Sequence, residues 1–306
     1  MKAIKYLGPG HIVIAEVPRP RPRAGEVLVE THAVSISNQT DARVYNGIQT
    51  TYPLDSGAPG SEGSGVVVEV GSGVKGLNPG DPVAMIGKRL YAEFSVRAPE
   101  ELAPLKSVTS LVEAAPLGLA GCVVAAIGKI GSLRDRTVAV TGLGPAGLFA
   151  VQMARYSGAT KIIAFDIKPD HLELARVLGA TTAAVANDRD VLRTCRESPA
   201  DCGIDCSGSA QAVSLLYSMC STVLAFGTNY ETVKIDVPPD RAVTLINGYL
   251  TEEERREGLS AAVKLYLRKK LQTRAIISQT MPLEEYALAM QKVRRGEVLK
   301  LVLTRG

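Results

Sequence analysis

The sequence predicts an α/β fold, a doubly wound parallel sheet together with a β-rich part, and three observations carry that prediction. From Thr137 to Gly227, short apolar runs alternate with helical patterns, as in parallel strands covered on both faces. Residues 1 to about 107 instead hold short strands broken by frequent turns, which suits a compact partial barrel. Between an apolar strand and an apolar helix lies Gly142-Leu143-Gly144-Pro145-Ala146-Gly147, a full G-x-G-x-x-G.

In chain order, Met1 to Tyr6 and Ile12 to Val17 read as strands, and Pro18 to Arg23 as a Pro/Arg connector. Glu26 to Ser35 follows, with Val27, Val29, Thr31 and Ala33 alternating against Leu28, Glu30 and His32. Gly57 to Gly65 is a Gly/Ser-rich turn leading into the β-prone run Val66 to Val70. Gly71-Ser72-Gly73 breaks that run, and Asn78-Pro79-Gly80-Asp81 is a turn. Pro82 to Met85 and Leu90 to Val96 are further strands. From Val108 to Ile130 the pattern becomes helical and Ala-rich, a bridge to the next part.

Thr137 to Val140 has the composition of a buried strand, and Lys161 to Phe165 is a second one that stops at Asp166. Between them the glycines have separate tasks. Gly142 permits the tight turn, Gly144 lets a pyrophosphate approach the backbone, and Gly147 lets helix and strand pack closely. Pro145 fits the first helical turn, beside Ala146, and the helix N-terminus offers free N–H groups and a positive dipole end. Leu148, Val151, Met153, Ala154 and Tyr156 form the apolar part of that helix, which Gly158 can end. Asp166 lies 19 residues after Gly147, where a carboxylate accepts from a ribose 2′-OH and repels a 2′-phosphate. This order points to dinucleotide binding, with NAD favoured over NADP; Lys168 blurs the preference.

Beyond Asp166, Pro169 to Leu178 reads as a helix capped by Gly179, Ala183 to Val185 as a strand and Val191 to Arg196 as a short helix. Gly203 to Cys206 and Thr222 to Phe226 are strands on either side of a helix from Ala210 to Met219. They close on Ser207-Gly208 and Gly227-Thr228, so Ser207, Gly227 and Thr228 stand where parallel sheets bind ligands. Glu252 to Leu271 is a charged amphipathic helix, Leu283 to Arg294 the last helix and Val298 to Thr304 the last strand.

Composition narrows the classes. Of 306 residues, 46% are hydrophobic and 22% charged, ordinary for a soluble globular chain long enough for two domains. The formal net charge of +4 comes without a Lys/Arg block, so nucleic acid is not an expected partner. No apolar run is read as long enough to span a membrane, and Met1 to Tyr6 is no signal peptide, so a cytoplasmic protein is expected. Cys122, Cys195, Cys202, Cys206 and Cys220 are odd in number and include no C-x-x-C pair, which fits reduced thiols.

The stretch Gly60-Ser61-Glu62-Gly63-Ser64-Gly65-Val66, with Val67 to Gly71 and Val74 to Asp81 after it, resembles the signature of the medium-chain dehydrogenases/reductases. The likeness extends to Met1-Lys2-Ala3, Gly25 to Val29, Asp166 to Ala180 and Met281 to Leu303. It implies a GroES-like catalytic domain, residues 1–118 completed by 256–306, with a Rossmann domain inserted at 119–255. It also implies an active site between them and a homodimer or tetramer formed through the Rossmann part, with Val233 to Val237 and Leu245 to Leu250 as candidate interface strands. Lys300 matches a basic position that reaches the pyrophosphate in that family.

The departures concern metal. The zinc-dependent branch places ligands where this chain has Asn38 (or Ser37, if one residue is inserted), Ser61 and the neighbourhood of Leu119, none of them a zinc ligand, and Gly87 to Phe94 lacks the cysteines of a structural zinc lobe. Asn38-Gln39-Thr40-Asp41 and Tyr52-Pro53 resemble instead the zinc-independent quinone and enoyl reductases of the same superfamily. Hydride transfer to a carbonyl builds negative charge on oxygen, and without a metal it needs hydrogen-bond donors and a proton source. Thr40 or Tyr52 is the expected proton donor, and Asn38 is expected to orient the substrate oxygen. Glu62 and Asp41 read as supports of their loops. The leading expectation is an NAD(H)-dependent, zinc-independent oxidoreductase acting on a hydroxyl or ketone of a small molecule. An NADPH-dependent quinone or activated-alkene reductase is the alternative, and a non-catalytic dinucleotide sensor a third.

Overall fold

The computed structural model describes all residues except 49, 107–108, 191–192, 194–198, 228–241 and 306. Two compact units emerge, Met1–Gly121 together with Arg255–Gly306, and Cys122–Glu254. The second is therefore inserted in sequence into the first.

In the first unit, β1 (Lys2–Gly8) and β2 (His11–Glu16) form an antiparallel hairpin. Next come β3 (Val27–Ser35), α1 (Thr40–Tyr45), β4 (Glu62–Val70), β5 (Pro82–Ile86), β6 (Phe94–Arg97) and β7 (Leu102–Pro104). The expected alternation along β3 holds only in its middle, where Glu30 and His32 are half-buried. Leu28 and Val34 are buried like Val27 and Val29. Both faces of this strand are covered: Val29 joins the main core with Tyr91 and Met85, while Ala33 packs with Ala115, Ile277 and Val302. β4 begins at Glu62, so the Gly/Ser-rich turn read from the sequence is partly strand, paired with Thr31 to Val34 of β3. The strand read at Leu90 to Val96 is shorter. The Leu90 and Tyr91 N–H groups bond to Gly60 and Gly57 carbonyls, which holds them as a loop, and pairing with β3 starts at Phe94.

The Ala-rich bridge is two helices, α2 (Leu111–Ala114) and α3 (Leu117–Gly128), separated at Ala115-Pro116. By length and composition the stretch Leu111–Gly128, with mean hydropathy 1.9, could cross a membrane, which corrects the expectation that no apolar run does. Its apolar side chains are used inside the protein, since Leu117, Ala120, Val123, Ala126 and Ile127 are all buried.

The second unit is built on β8 (Thr137–Thr141), α4 (Pro145–Tyr156), β9 (Lys161–Asp166), α5 (Leu172–Val177) and β10 (Thr182–Val185). It continues with β11 (Ala200–Asp205), α6 (Ala210–Met219), β12 (Cys220–Ala225) and β13 (Thr244–Asn247). All six strands are parallel, in the order β10-β9-β8-β11-β12-β13. From β8 the chain winds outward to β10, then returns to β11 and winds the other way. The crevice where strand order reverses lies between the carboxyl ends of β8 and β11, the place such sheets bind ligands. This is the predicted doubly wound sheet. Pro169-Asp170-His171 is a 3₁₀ turn before α5, so the helix read from Pro169 is shorter than expected. Most of the short helix read at Val191 to Arg196, and all of Val233 to Val237, fall outside the described residues.

α7 (Glu252–Leu267) leads back into the first unit, which ends with β14 (Gln279–Pro282), α8 (Tyr286–Arg295) and β15 (Leu301–Thr304). β15 pairs with β3, completing the sheet β14-β15-β3-β4-β5-β7. The C-terminal segment thereby inserts Met281, Tyr286, Leu301 and Leu303 into the core of the N-terminal one.

Candidate active site

The carboxyl ends of β8, β9 and β11 converge on the glycine loop. Gly142 has φ +80°, open to glycine at little cost, and a Cβ there would lie 2.7 Å from the Ser207 nitrogen. A Cβ on Gly147 would lie 1.8 Å from the Gly142 carbonyl oxygen, so no other residue fits. At Gly144, by contrast, a Cβ would meet nothing within 4 Å. The outer two glycines are fixed by protein contacts, whereas Gly144 faces open space at the N-terminus of α4, beside Pro145 and Ala146. A pyrophosphate fits there, against free N–H groups and the positive end of the helix.

Asp166 ends β9 with both oxygens held: Leu143 N–H donates to Oδ2 at 2.6 Å and Lys168 N–H to Oδ1 at 2.9 Å. The carboxylate is thus seated at the rim of the glycine loop, half-buried. The Lys168 side chain is exposed beside it. Sequence reasoning missed Asp205, at the end of β11 and fully buried. It accepts from Thr141 Oγ1 at 2.7 Å, Ser207 Oγ at 2.6 Å and Gly208 N–H at 2.9 Å, which ties the ends of β8 and β11 together. Ser207 is therefore occupied in holding the crevice. Gly227 approaches Gly208 so closely that a Cβ on it would lie 2.1 Å from the Gly208 nitrogen. Thr228 lies outside the described residues. The signal for Asp205 was available: like Asp166, it is an acid at the carboxyl end of a strand read from the sequence. Cys206, next to it, has its thiol pushed well up by burial and is inert packing.

In the first unit, a second cluster forms around the turn that precedes α1. Asn38 donates Nδ2 to the Leu299 carbonyl at 2.9 Å. Thr40 opens α1 and is exposed. Asp41 is fully buried and accepts from Ser37 N–H at 2.9 Å and from the Tyr91 hydroxyl. Burial pushes its carboxyl up to about 6, although those hydrogen bonds oppose the rise. Glu62 is held by Leu119 N–H at 2.5 Å and by the Lys300 ammonium at 2.7 Å. Lys300 also donates to the Ile36 carbonyl at 2.8 Å. Behind them stand the buried rings of Tyr6, Tyr91 and Tyr286, with the Tyr6 and Tyr286 hydroxyls 2.8 Å apart.

Two sequence expectations are corrected here. Lys300 is 1% exposed and its ammonium is bound to Glu62 and Ile36, so it is a buried counter-ion and not a free donor to pyrophosphate. Tyr52 donates its hydroxyl to the Val44 carbonyl near the far end of α1, and its ring packs against Tyr6 at 6.3 Å. That phenol anchors a loop, and burial pushes it up, away from acidity. Asn38 and Thr40 thus stand on one turn, and the Tyr52 hydroxyl is bound at Val44, four residues beyond Thr40.

The residues at the positions of the zinc branch do not fit a zinc ion. Asn38, Ser61 and Leu119 offer no thiolate or imidazole, the carboxylate of Glu62 is already neutralised by Lys300, and that ammonium repels a cation. Among the described residues no group of three or more His, Cys, Asp or Glu side chains is placed to hold a metal.

With this geometry in place, the likeness to known proteins is informative. Residues 23–126 match the family described as alcohol dehydrogenase GroES-like domain, and residues 145–251 the family described as zinc-binding dehydrogenase. An alcohol dehydrogenase of Geobacillus stearothermophilus is 26% identical over 330 residues, covering 93% of this chain and 93% of its own. A sorbitol dehydrogenase of Halalkalibacterium halodurans is 24% identical over 343 residues, covering 97% and 96%. The structure of alcohol dehydrogenase TADH from Thermus sp. ATN1 superposes with a TM-score of 0.88 at 25% identity, covering 100% of each chain. Glycine loop, doubly wound sheet, split β-rich unit and both family matches agree along the chain. It belongs to the medium-chain dehydrogenases/reductases, the zinc-type alcohol dehydrogenase-like superfamily of oxidoreductases.

Proposed function

We propose that this enzyme is NAD(H)-dependent and zinc-independent, and that it interconverts a hydroxyl and a ketone on a small organic substrate. The observation that carries the reading is Asp166, a carboxylate fixed by two backbone N–H groups at the rim of the glycine loop. There it accepts from a ribose diol and repels a 2′-phosphate. Gly142, Gly144, Ala146 and Gly147 hold the pyrophosphate, and Gly227 keeps the neighbouring strand end close. The bound dinucleotide supplies or accepts hydride. Thr40 exchanges the proton of the substrate oxygen, and the remaining amide proton of Asn38 orients that oxygen. Zinc independence is supported by the ammonium of Lys300 beside Glu62. We place the protein in the cytoplasm as a homo-oligomer joined through β13, whose Leu245 is 54% exposed, with Tyr249 at 71% just beyond it.

The test is steady-state reduction of a ketone panel with NADH and NADPH on metal-analysed protein, repeated with Thr40→Ala. NADH-preferring ketone reduction without zinc, lowered about a hundredfold or more in Thr40→Ala, is the expected result. A second reading, quinone or enone reduction with NADPH, is favoured by the exposed Lys168 beside Asp166. NADPH preference with activity on enones alone would establish it in place of the first.

A further inference from the structure

The cluster around Asp41 contains two carboxylates, Asp41 and Glu62, and one ammonium, Lys300, and all three side chains are buried. One cation neutralises one carboxylate. Glu62 has it, at 2.7 Å, together with the Leu119 N–H. Asp41 has donors on one oxygen only, since Ser37 N–H and the Tyr91 hydroxyl both go to Oδ2. Its Oδ1 is buried with no hydrogen-bond partner among the described residues. Three residues earlier, Asn38 Oδ1 is buried and unpartnered as well. Its amide cannot be turned round to cure this, because Nδ2 is needed by the Leu299 carbonyl.

Two buried acceptors without a donor are costly, and here they belong to residues three apart in the chain. The Asp41 N–H bonds to the Ser37 carbonyl at 3.1 Å, so residues 37 to 41 form one helical turn. Side chains three apart on such a turn share a face. A single proton satisfies both. We propose that Asp41 is a proton-dependent positioning residue for Asn38: it carries a proton on Oδ1 and donates it to Asn38 Oδ1, directly or through one water, while Lys300 remains paired with Glu62.

The groups that face Asp41 support this assignment. Tyr6, Tyr91 and Tyr286 are neutral phenols kept so by burial, and Glu62 disfavours a second negative charge; against these stand the hydrogen bonds from Tyr91 and Ser37 and the Lys300 ammonium, which is already engaged by Glu62. Losing the proton removes the donor from Asn38 Oδ1 and loosens that side chain, so the pH at which Asp41 titrates sets the order of the Asn38 turn. That the turn serves catalysis rests on the function proposed above, but the protonation does not, and it is measured without substrate.

The experiment is infrared difference spectroscopy of the full-length protein titrated from pH 4 to pH 8. Carboxyl groups are labelled with ¹³C in aspartate in one sample and in glutamate in another. The expected result is a buried-carboxyl C=O band that disappears near pH 6 and shifts only with aspartate labelling. It is absent from Asp41→Asn. In Glu62→Gln, where the freed ammonium turns to Asp41, it vanishes at lower pH. Stability carries a matching sign. The native carboxyl holds its proton more tightly than the unfolded one, so the contribution of Asp41 to stability is fully present below about pH 4, is lost as pH rises through about 6 and is level above that. Asp41→Asn removes that fall. A band that follows glutamate labelling, or no protonated carboxyl at pH 5, overturns the proposal, and the labelling alone decides if a variant does not fold.

Discussion

The glycine loop of the second unit and the Asn38 turn of the first are both built to hold something, and they do it in opposite ways. The loop works with backbone. Gly142, Gly147 and Gly227 are fixed by close approach to neighbouring main chain, and Asp166 and Asp205 hold N–H groups in place. The Asn38 turn works with side chains from distant parts of the sequence. Glu62 meets Lys300 across 238 positions, and Asn38 meets Leu299 across 261. Backbone cradles tolerate many substrates because they read only a shared cofactor, whereas a side-chain cluster can be rebuilt around different chemistry. The departures from the zinc-dependent relatives accordingly lie in the first unit.

The strongest way to break the cradle is Gly147→Val. The first added carbon would overlap the Gly142 carbonyl at 1.8 Å, and backbone cannot yield as a flexible side chain does. We expect a loss of about 5 kcal/mol of stability, at the extreme of single substitutions. NADH binding should be abolished in a fluorescence titration, and a variant that still bound normally would show that the loop does not hold the dinucleotide. Lys300→Met comes next. It strands the buried Glu62 carboxylate without its cation, at an expected cost of about 3–5 kcal/mol in chemical denaturation. Combined with Glu62→Gln the loss should be much smaller than the sum, since the pair is coupled. Additive losses would mean that each group is held independently.

The same contrast explains what the sequence revealed. Thr137 to Asp166 was legible because strand, glycines, helix and acid are all local, each with its own backbone reason. The doubly wound sheet followed from that and from the alternation of strands and helices. Lys300 was misread because its position suggested a role while its partner, Glu62, lay far away in sequence. The partner of Tyr52 was illegible for the same reason: nothing near it in the chain announces that Val44 takes its hydroxyl. Asp205 was passed over although its pattern matched Asp166, since no glycine motif drew attention to it. The split of the Ala-rich bridge at Pro116 and the two-faced burial of β3 depend on what packs against them, and local pattern does not carry that information.

A finer test of the cradle is Asp166→Asn. Asparagine keeps the size and one carbonyl oxygen but loses the charge, and hydrogen bonds to a charged group are worth about 1.5–3 kcal/mol. NADH affinity should fall about tenfold or more, with NADPH affected less, so the ratio of the two dissociation constants narrows. An unchanged ratio would place the ribose away from Asp166 and favour the NADPH-dependent reading.

The smallest effect expected is in Tyr52→Phe, and its value lies in the contrast with Asn38 and Thr40. The phenol bonds to the Val44 carbonyl, which also accepts the Gly47 N–H at 3.0 Å, so losing the hydroxyl leaves that carbonyl with one donor. The ring contact with Tyr6 is kept. The stability loss should be about 1 kcal/mol or less, and turnover should stay within about twofold of the native enzyme. A general acid would behave differently, because removing the proton source costs about a hundredfold or more in rate. Retained turnover in Tyr52→Phe together with its loss in Thr40→Ala would assign the proton to the turn at Asn38 and leave Tyr52 as a clamp on the far end of α1. A collapse in Tyr52→Phe, with the protein still folded, would mean that the phenol leaves Val44 when substrate is present, and the side-chain cluster would then extend across the whole of α1.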